Sequence, residues 1–270
     1  MRIFLWQWLF QRQQRYQLIW CPCPQETSDA DGDDIVSITF RILSALLQYP
    51  EADVQNAVPE MRSALLEDGL LNAVQIAALE PLLTKLANSD LLDVQEDYVE
   101  LFDRGRVHSL HLFEHVHGES RDRGQAMVDL RERYLDAGLD PVSNELPDYL
   151  PQFLEYCSVL PREAALERLA EPGLVLVALS QRLEERQSVY APILIALCNI
   201  AGVDRSVDVE SAIKPADDPD DLEALDAAWE EEEVTFGAMA PSNPNLPSDK
   251  DTSCPLAERQ LAAMQFEKGA

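Results

Sequence analysis

The sequence predicts an all-α protein, a single globular helical bundle of about ten helices with disordered termini. Three observations predict it. Glycine is scarce, at 10 in 270 residues, while Leu, Ala, Glu and Arg recur, residues that lose little on entering a helix. Apolar residues, 46% of the chain, return every three or four positions in run after run. No segment alternates apolar and polar at period two, and no unit repeats.

Residues 1–34 are set apart as an N-terminal extension and linker. "MRIFLWQWLFQRQQRYQLIW" is cationic, with three arginines and no acid, but its apolar run Ile3 to Trp6 stops at Gln7 and no small-residue cleavage site follows. That is too short for a secretory signal or a membrane span. An extension or misplaced start is the plain reading, and a weak interfacial anchor the functional one. After "CPCPQETSDADGDD", the stretch "IVSITFRILSALLQYP" places Ile35, Ile38, Ile42, Ala45 and Leu46 on one helical face, and that helix must end by Pro50. Amphipathic runs follow at Ala52 to Leu66, Leu71 to Ala87, Leu91 to Phe102, His108 to Val116 and Arg121 to Ala137. Beyond "ELPDYLP" come Gln152 to Leu160, Arg162 to Leu169, Leu174 to Arg186 and Ala191 to Ala201, which complete a helical domain over 35–203. From Val203 to Thr235, thirteen acids stand against Arg205 and Lys214, a net charge of −11. This defines an acidic segment, 204–236, in which "LEALDAAWEEEEVTF" carries Leu222, Leu225 and Trp229 on a possible helical stripe. The Pro, Ser and Asp content of 237–270 reads as a disordered tail.

A net charge of −28 excludes an ordinary nucleic-acid binder, because phosphate is repelled by such a surface. It favours a polypeptide partner with basic segments. Of the five cysteines only Cys21 and Cys23 are close, which suits a reducing compartment. Cys157 and Cys198 sit among apolar residues and read as small core residues.

All four histidines fall in "HSLHLFEHVHGESRDRG", and "HLFEH" fits the H-x-x-E-H pattern of inverted zinc peptidases. On a helix, His108, His111 and His115 share an arc of about 60°. However, His108 and His115 are then about 10.5 Å apart along the axis, too far for one zinc with ligands at about 2.0–2.1 Å. His117 points the other way, towards Leu110 and Phe113, and reads as a packed histidine bonded to a carbonyl. A hydrolase using His111, Glu114 and His115 is the alternative function, and it lacks a visible third ligand. No phosphate loop, dinucleotide fingerprint or nucleophile elbow is present. The residues therefore nominate no catalytic side chain and no metal ligand.

As a whole, "YVELFDRGRVHSLHLFEHVHGESRDRGQAMVDL", from Tyr98 to Leu130, closely resembles the NarJ-type assembly chaperones of respiratory nitrate reductase, members of a wider all-helical superfamily of redox-enzyme maturation chaperones. "ELPDYLPQFLEY" and "ALDAAWEEEEVTF" extend the likeness, which spans roughly Ile35 to Phe236. The resemblance implies a cytoplasmic protein with no catalytic activity and no cofactor of its own. It implies a partner, the apo catalytic (alpha) subunit of nitrate reductase, held chiefly by its N-terminal peptide until iron–sulfur and molybdenum cofactors are inserted. Membrane association would be at most transient, through the client complex. Glu145, Pro147 and Asp148 match the family's E-x-P-D-H signature, but Tyr149 stands where histidine is usual.

An acidic helical body with an apolar groove suits capture of an amphipathic, basic helix. Tyr98, Leu101, Phe102 and Phe113, which flank the "DRGR" break, are the candidate groove residues, with core packing as the plain alternative. Arg104, and His115 beside Phe113, join them as partner-binding candidates, together with Glu145, Pro147 and Asp148. Arg104, Arg106, Arg121 and Arg123 form a cationic cluster whose plain role is pairing with Asp103, Glu119 and Asp122, and whose sharper role is contact with carboxylates or an anionic cofactor on the client.

Overall fold

A computed structural model of the chain describes residues 38–117, 121–140, 145–207 and 209. The extension and linker at 1–34, the possible helix after Leu222 and the tail at 237–270 lie outside the described residues. Among those described there are ten α-helices, one short 3-10 turn and no strand.

The helices are α1 (Ile38–Leu47), α2 (Ala52–Asp68), α3 (Ala73–Asn88), α4 (Leu91–Phe102), α5 (Leu112–His117), α6 (Arg121–Asp136), α7 (Leu150–Val159), α8 (Arg162–Ala170), α9 (Gly173–Glu185) and α10 (Ala191–Ile200). Their ends follow local chemistry. α2 closes on Gly69 at φ 71°, a left-handed position that glycine enters without a Cβ penalty. α3 begins at Ala73, two residues later than the periodicity predicts, because Asn72 and Gln75 bond each other's backbone N–H in a capping box. α7 begins earlier than predicted, at Leu150, with Pro151 in its first turn, where the missing N–H is no loss.

α1 is the central helix. Thr39, Phe40 and every residue from Ile42 to Leu47 are buried, so it is covered nearly all round. It packs most extensively on α7, antiparallel to it: Ser44 Oγ donates to the Pro151 carbonyl at 2.8 Å, and Arg41 Nε to Ser158 Oγ at 3.2 Å. α9 and α10 form the other principal pair, burying Val175 to Leu179 against Ile193, Leu194 and Leu197. Cys157 and Cys198 are free thiols in this core, as their apolar neighbours predict. No described helix is long and apolar enough to cross a membrane.

One predicted helix is wrong. His108 to Val116 does not form a single helix: a 3-10 turn spans Arg106–His108, the chain then extends through Ser109 to His111, and α5 starts only at Leu112. The cause lies in a distant segment. Residue 111 pairs with residue 149 in an isolated antiparallel bridge, and that pairing draws 109–111 out of helical geometry.

Candidate partner-binding site

The bridge joins two loops that the sequence holds far apart. Leu112 N–H donates to the Asp148 carbonyl at 3.0 Å, and Leu150 N–H to the Leu110 carbonyl at 2.8 Å. Asp148, fully buried, lies at the centre. Its carboxylate accepts the Phe113 amide at 3.1 Å, and so caps the start of α5 from another part of the chain. The same carboxylate lies 3.2 Å from His111 Nδ1 and 3.7 Å from Arg123 Nη2, while Arg123 also reaches Glu114 at 3.2 Å. Burial by itself lowers the affinity of His111 for a proton, but the hydrogen bond and charge of Asp148, aided by Glu114 and Glu145, outweigh it and the net pKa is raised.

The neighbouring side chains lock the same loops. The Tyr98 hydroxyl donates to the Leu47 carbonyl at 2.9 Å, so in its 3.1 Å contact with Tyr149 it is the Tyr149 hydroxyl that donates. Tyr134 donates to the Pro147 carbonyl at 2.7 Å. His115 is buried, with Nε2 2.8 Å from the Ser109 carbonyl and Nδ1 3.4 Å from Arg182 Nη1, so the neutral Nε2–H ring satisfies both neighbours. Burial first, and then the Arg182 charge, hold His115 below the usual imidazole range despite the carbonyl bond, which favours the proton. Arg182 also donates to the Val107 carbonyl at 3.0 Å.

This geometry does not support the hydrolase alternative. His111 Nδ1 is engaged by Asp148, both nitrogens of His115 have partners and Glu114 is paired with Arg123. No group of three or more His, Cys, Asp or Glu among the described residues is placed to hold a metal ion. The helical arc that seemed to align His108, His111 and His115 does not exist, because only His115 lies in α5. His115 is bonded to a carbonyl, and the ring of His117 packs towards Phe113 as expected, meeting it edge-on at 5.6 Å.

The remaining candidates divide between core and surface. Tyr98 and Phe102 are 3% and 5% exposed, one turn apart on the buried face of α4, and their rings pack with Tyr190. Leu101 is half-buried against the core. Arg104 is exposed and reaches back to Glu100 at 3.6 Å, and Glu145 is exposed in its loop. Phe113 belongs elsewhere, on the wall of an apolar groove of about 440 Å³, within the span of ligand pockets of about 300–1,000 Å³. Leu112, Phe113 and Val116 of α5 form one wall, and Leu130, Phe153 and Leu174 the facing surfaces. Asp129, Arg133 and Glu171 stand at the polar margin, Arg133 paired with Glu171 at 2.9 Å. Sequence reasoning missed Val116, Phe153 and Leu174. The only local signal was that Val116 and Leu174 are apolar at positions that prove to be 48% and 45% exposed.

The sequence family described as nitrate reductase delta subunit matches residues 48–196. The chain belongs to that family. The nitrate reductase molybdenum cofactor assembly chaperone NarJ of Escherichia coli K12 is 48% identical over 204 residues, covering 74% of this chain and 86% of that protein. The probable assembly chaperone NarW of the same organism is 43% identical over 202 residues, 73% of this chain and 83% of the relative. The probable assembly chaperone NarJ of Bacillus subtilis 168 is 30% identical over 178 residues, 66% of this chain and 96% of the relative. These relatives of the delta-subunit family are named as assembly chaperones and not as catalysts, and the resemblance carried by Tyr98 to Leu130 points to the same family.

Proposed function

We propose that this chain is a client-specific chaperone that binds the apo catalytic subunit of a respiratory nitrate reductase. It keeps that subunit competent for molybdenum cofactor and iron–sulfur insertion and for complex assembly, and then departs. The place of action is the cytoplasm, with membrane contact only through the client.

The observation that carries this reading is the groove between α5, α6 and α7. Its walls are apolar, it is open, and it sits on a chain whose net charge is −28. An amphipathic N-terminal helix of the client would bury its apolar stripe there, while the acidic surroundings orient its basic residues. Phe113 and Val116 would contact it directly. Asp148, Tyr149 and His115 act one step back, by holding α5 in place. Tyr98 and Phe102 support α4 from within the core.

The test is calorimetric titration of the full chain with a synthetic peptide of the catalytic subunit's N-terminus, alongside pull-down of that subunit from cells blocked in molybdenum cofactor synthesis. Saturable binding that is lost in a folded Leu174→Lys variant is expected. Binding unaffected by that change, with amide exchange protecting another face, would refute the groove assignment. No recovery of the apo subunit would refute the function.

A further inference from the structure

The N-terminal extension is the one part of the chain with the opposite chemistry to the rest. Residues 1–20 contain Arg2, Arg12 and Arg15 and no acid, so a chain of net −28 carries −31 outside them. The same twenty residues hold Ile3, Phe4, Leu5, Trp6, Trp8 and Phe10, a dense apolar block followed by cationic positions. Apolar anchors joined to basic residues are what an apolar groove on an acidic body selects.

The chain can also reach it. The described structure starts at Ile38, in the first turn of α1, and Arg41 bonds Ser158 near the end of α7. Phe153, which lines the groove, is five residues away on that same helix, about 7.5 Å along its axis at 1.5 Å per residue. Residues 21–37 span at most about 56–61 Å when extended, several times what is needed.

We propose that residues 1–20 are the groove's own occupant, a client-like segment that covers Phe113, Val116 and Leu174 until a client peptide displaces it. This rests on the reading of the groove as the client site. A groove filled by its own segment about nine-tenths of the time binds an outside peptide about tenfold more weakly.

The chain supplies its own probe. Its four tryptophans are Trp6, Trp8, Trp20 and Trp229, so in a full-length Trp229→Phe protein all indole emission comes from the extension. The expected result is blue-shifted emission, independent of protein concentration, that moves to the red when a tryptophan-free client peptide is added or when Leu174→Lys is introduced. Should Leu174→Lys fail to fold, Val116→Lys at the exposed opposite wall replaces it. Replacing Phe4, Trp6, Trp8 and Phe10 together by Ser should tighten client-peptide binding at least about fivefold by calorimetry. Emission that ignores both the peptide and the groove variants, while calorimetry still records peptide binding, overturns this inference and leaves the client reading intact. A blue shift that vanishes on dilution overturns it in favour of a second copy as occupant. Absence of peptide binding both to the parent chain and to the four-serine variant sinks the client reading, and this inference with it.

Discussion

Replacing Asp148 by Ala removes a fully buried carboxylate from the junction of two loops, and its cost follows from what it leaves behind. The Phe113 amide loses its acceptor at 3.1 Å, and His111 and Arg123 lose their shared anion. Breaking a buried pair by deleting one partner costs about 3–5 kcal/mol. Here the side chains of His111 and Arg123 are 25% and 19% exposed, and residual solvation shades the expectation to the lower end, about 3 kcal/mol. For a domain of this size that corresponds to a fall in Tm of about 6–12 °C. Asp148→Asn retains an acceptor for Phe113 and should lose less. The pH dependence supplies an independent check. Because the net pKa of His111 is raised in the fold, its protonated pairing stabilises fully below the unfolded value of about 6.5 and is lost as pH rises through the folded value. Urea denaturation followed by circular dichroism at pH 6 and pH 8 should therefore show a wider gap between parent and Asp148→Ala at pH 6. A loss under about 1 kcal/mol, or an equal gap at both pH values, would refute the reasoning.

Gly173→Ala should destabilise by roughly 1–3 kcal/mol in the same assay, because a Cβ there would lie 2.8 Å from Val203 Cγ2. The His111→Ala, His115→Ala pair should lower stability, since His115→Ala leaves the buried Ser109 carbonyl unpaired, but elemental analysis should find far less than one zinc per chain in parent and variant alike. Tyr149→Phe should cost about 0.5–1.5 kcal/mol in the urea assay by removing the bond to Tyr98. Raising salt should slow client-peptide association, read by stopped flow, more than it speeds dissociation, because marginal charges act chiefly on encounter.

The helices were legible because each buries a face with the 3.6-residue period, and even Pro59 and Pro81 lie inside helices that the periodicity carried through them. The failure at His108 to Val116 is instructive. Leu110, Phe113 and His117 fit a helical pattern, but the segment's geometry is set by a backbone bridge to Tyr149, and periodicity within a window contains no information about a partner thirty-eight residues away. Asp148 was named only through resemblance, since a lone acid after proline has no local signature for its role. The groove was legible only at Phe113: of the four residues named for flanking the "DRGR" break, Tyr98, Leu101 and Phe102 do not line it, whereas Phe153 and Leu174 join it only through the packing of α5, α6, α7 and the start of α9.

The position of Asp148 has a consequence for how the groove works. α5 has only six residues, far below the roughly 12–15 needed for a helix to persist in water, so it has little stability of its own. It holds its place through Asp148 at its first turn, the bridge at its entry and the His115 bond to Ser109 at its base. Its outward side chains, Phe113 and Val116, form one wall of the groove. Wall position and loop pairing are therefore one mechanical unit. A change at Tyr149 or Asp148 should alter client binding by displacing that wall even though neither side chain lines it. Direct loss of contact predicts faster dissociation from an unmoved site, whereas displacement of α5 predicts that amide protection of residues 112–117 falls in the free protein before any peptide is added. Unchanged protection of those amides in Asp148→Ala, together with weakened binding, would mean that Asp148 touches the client itself.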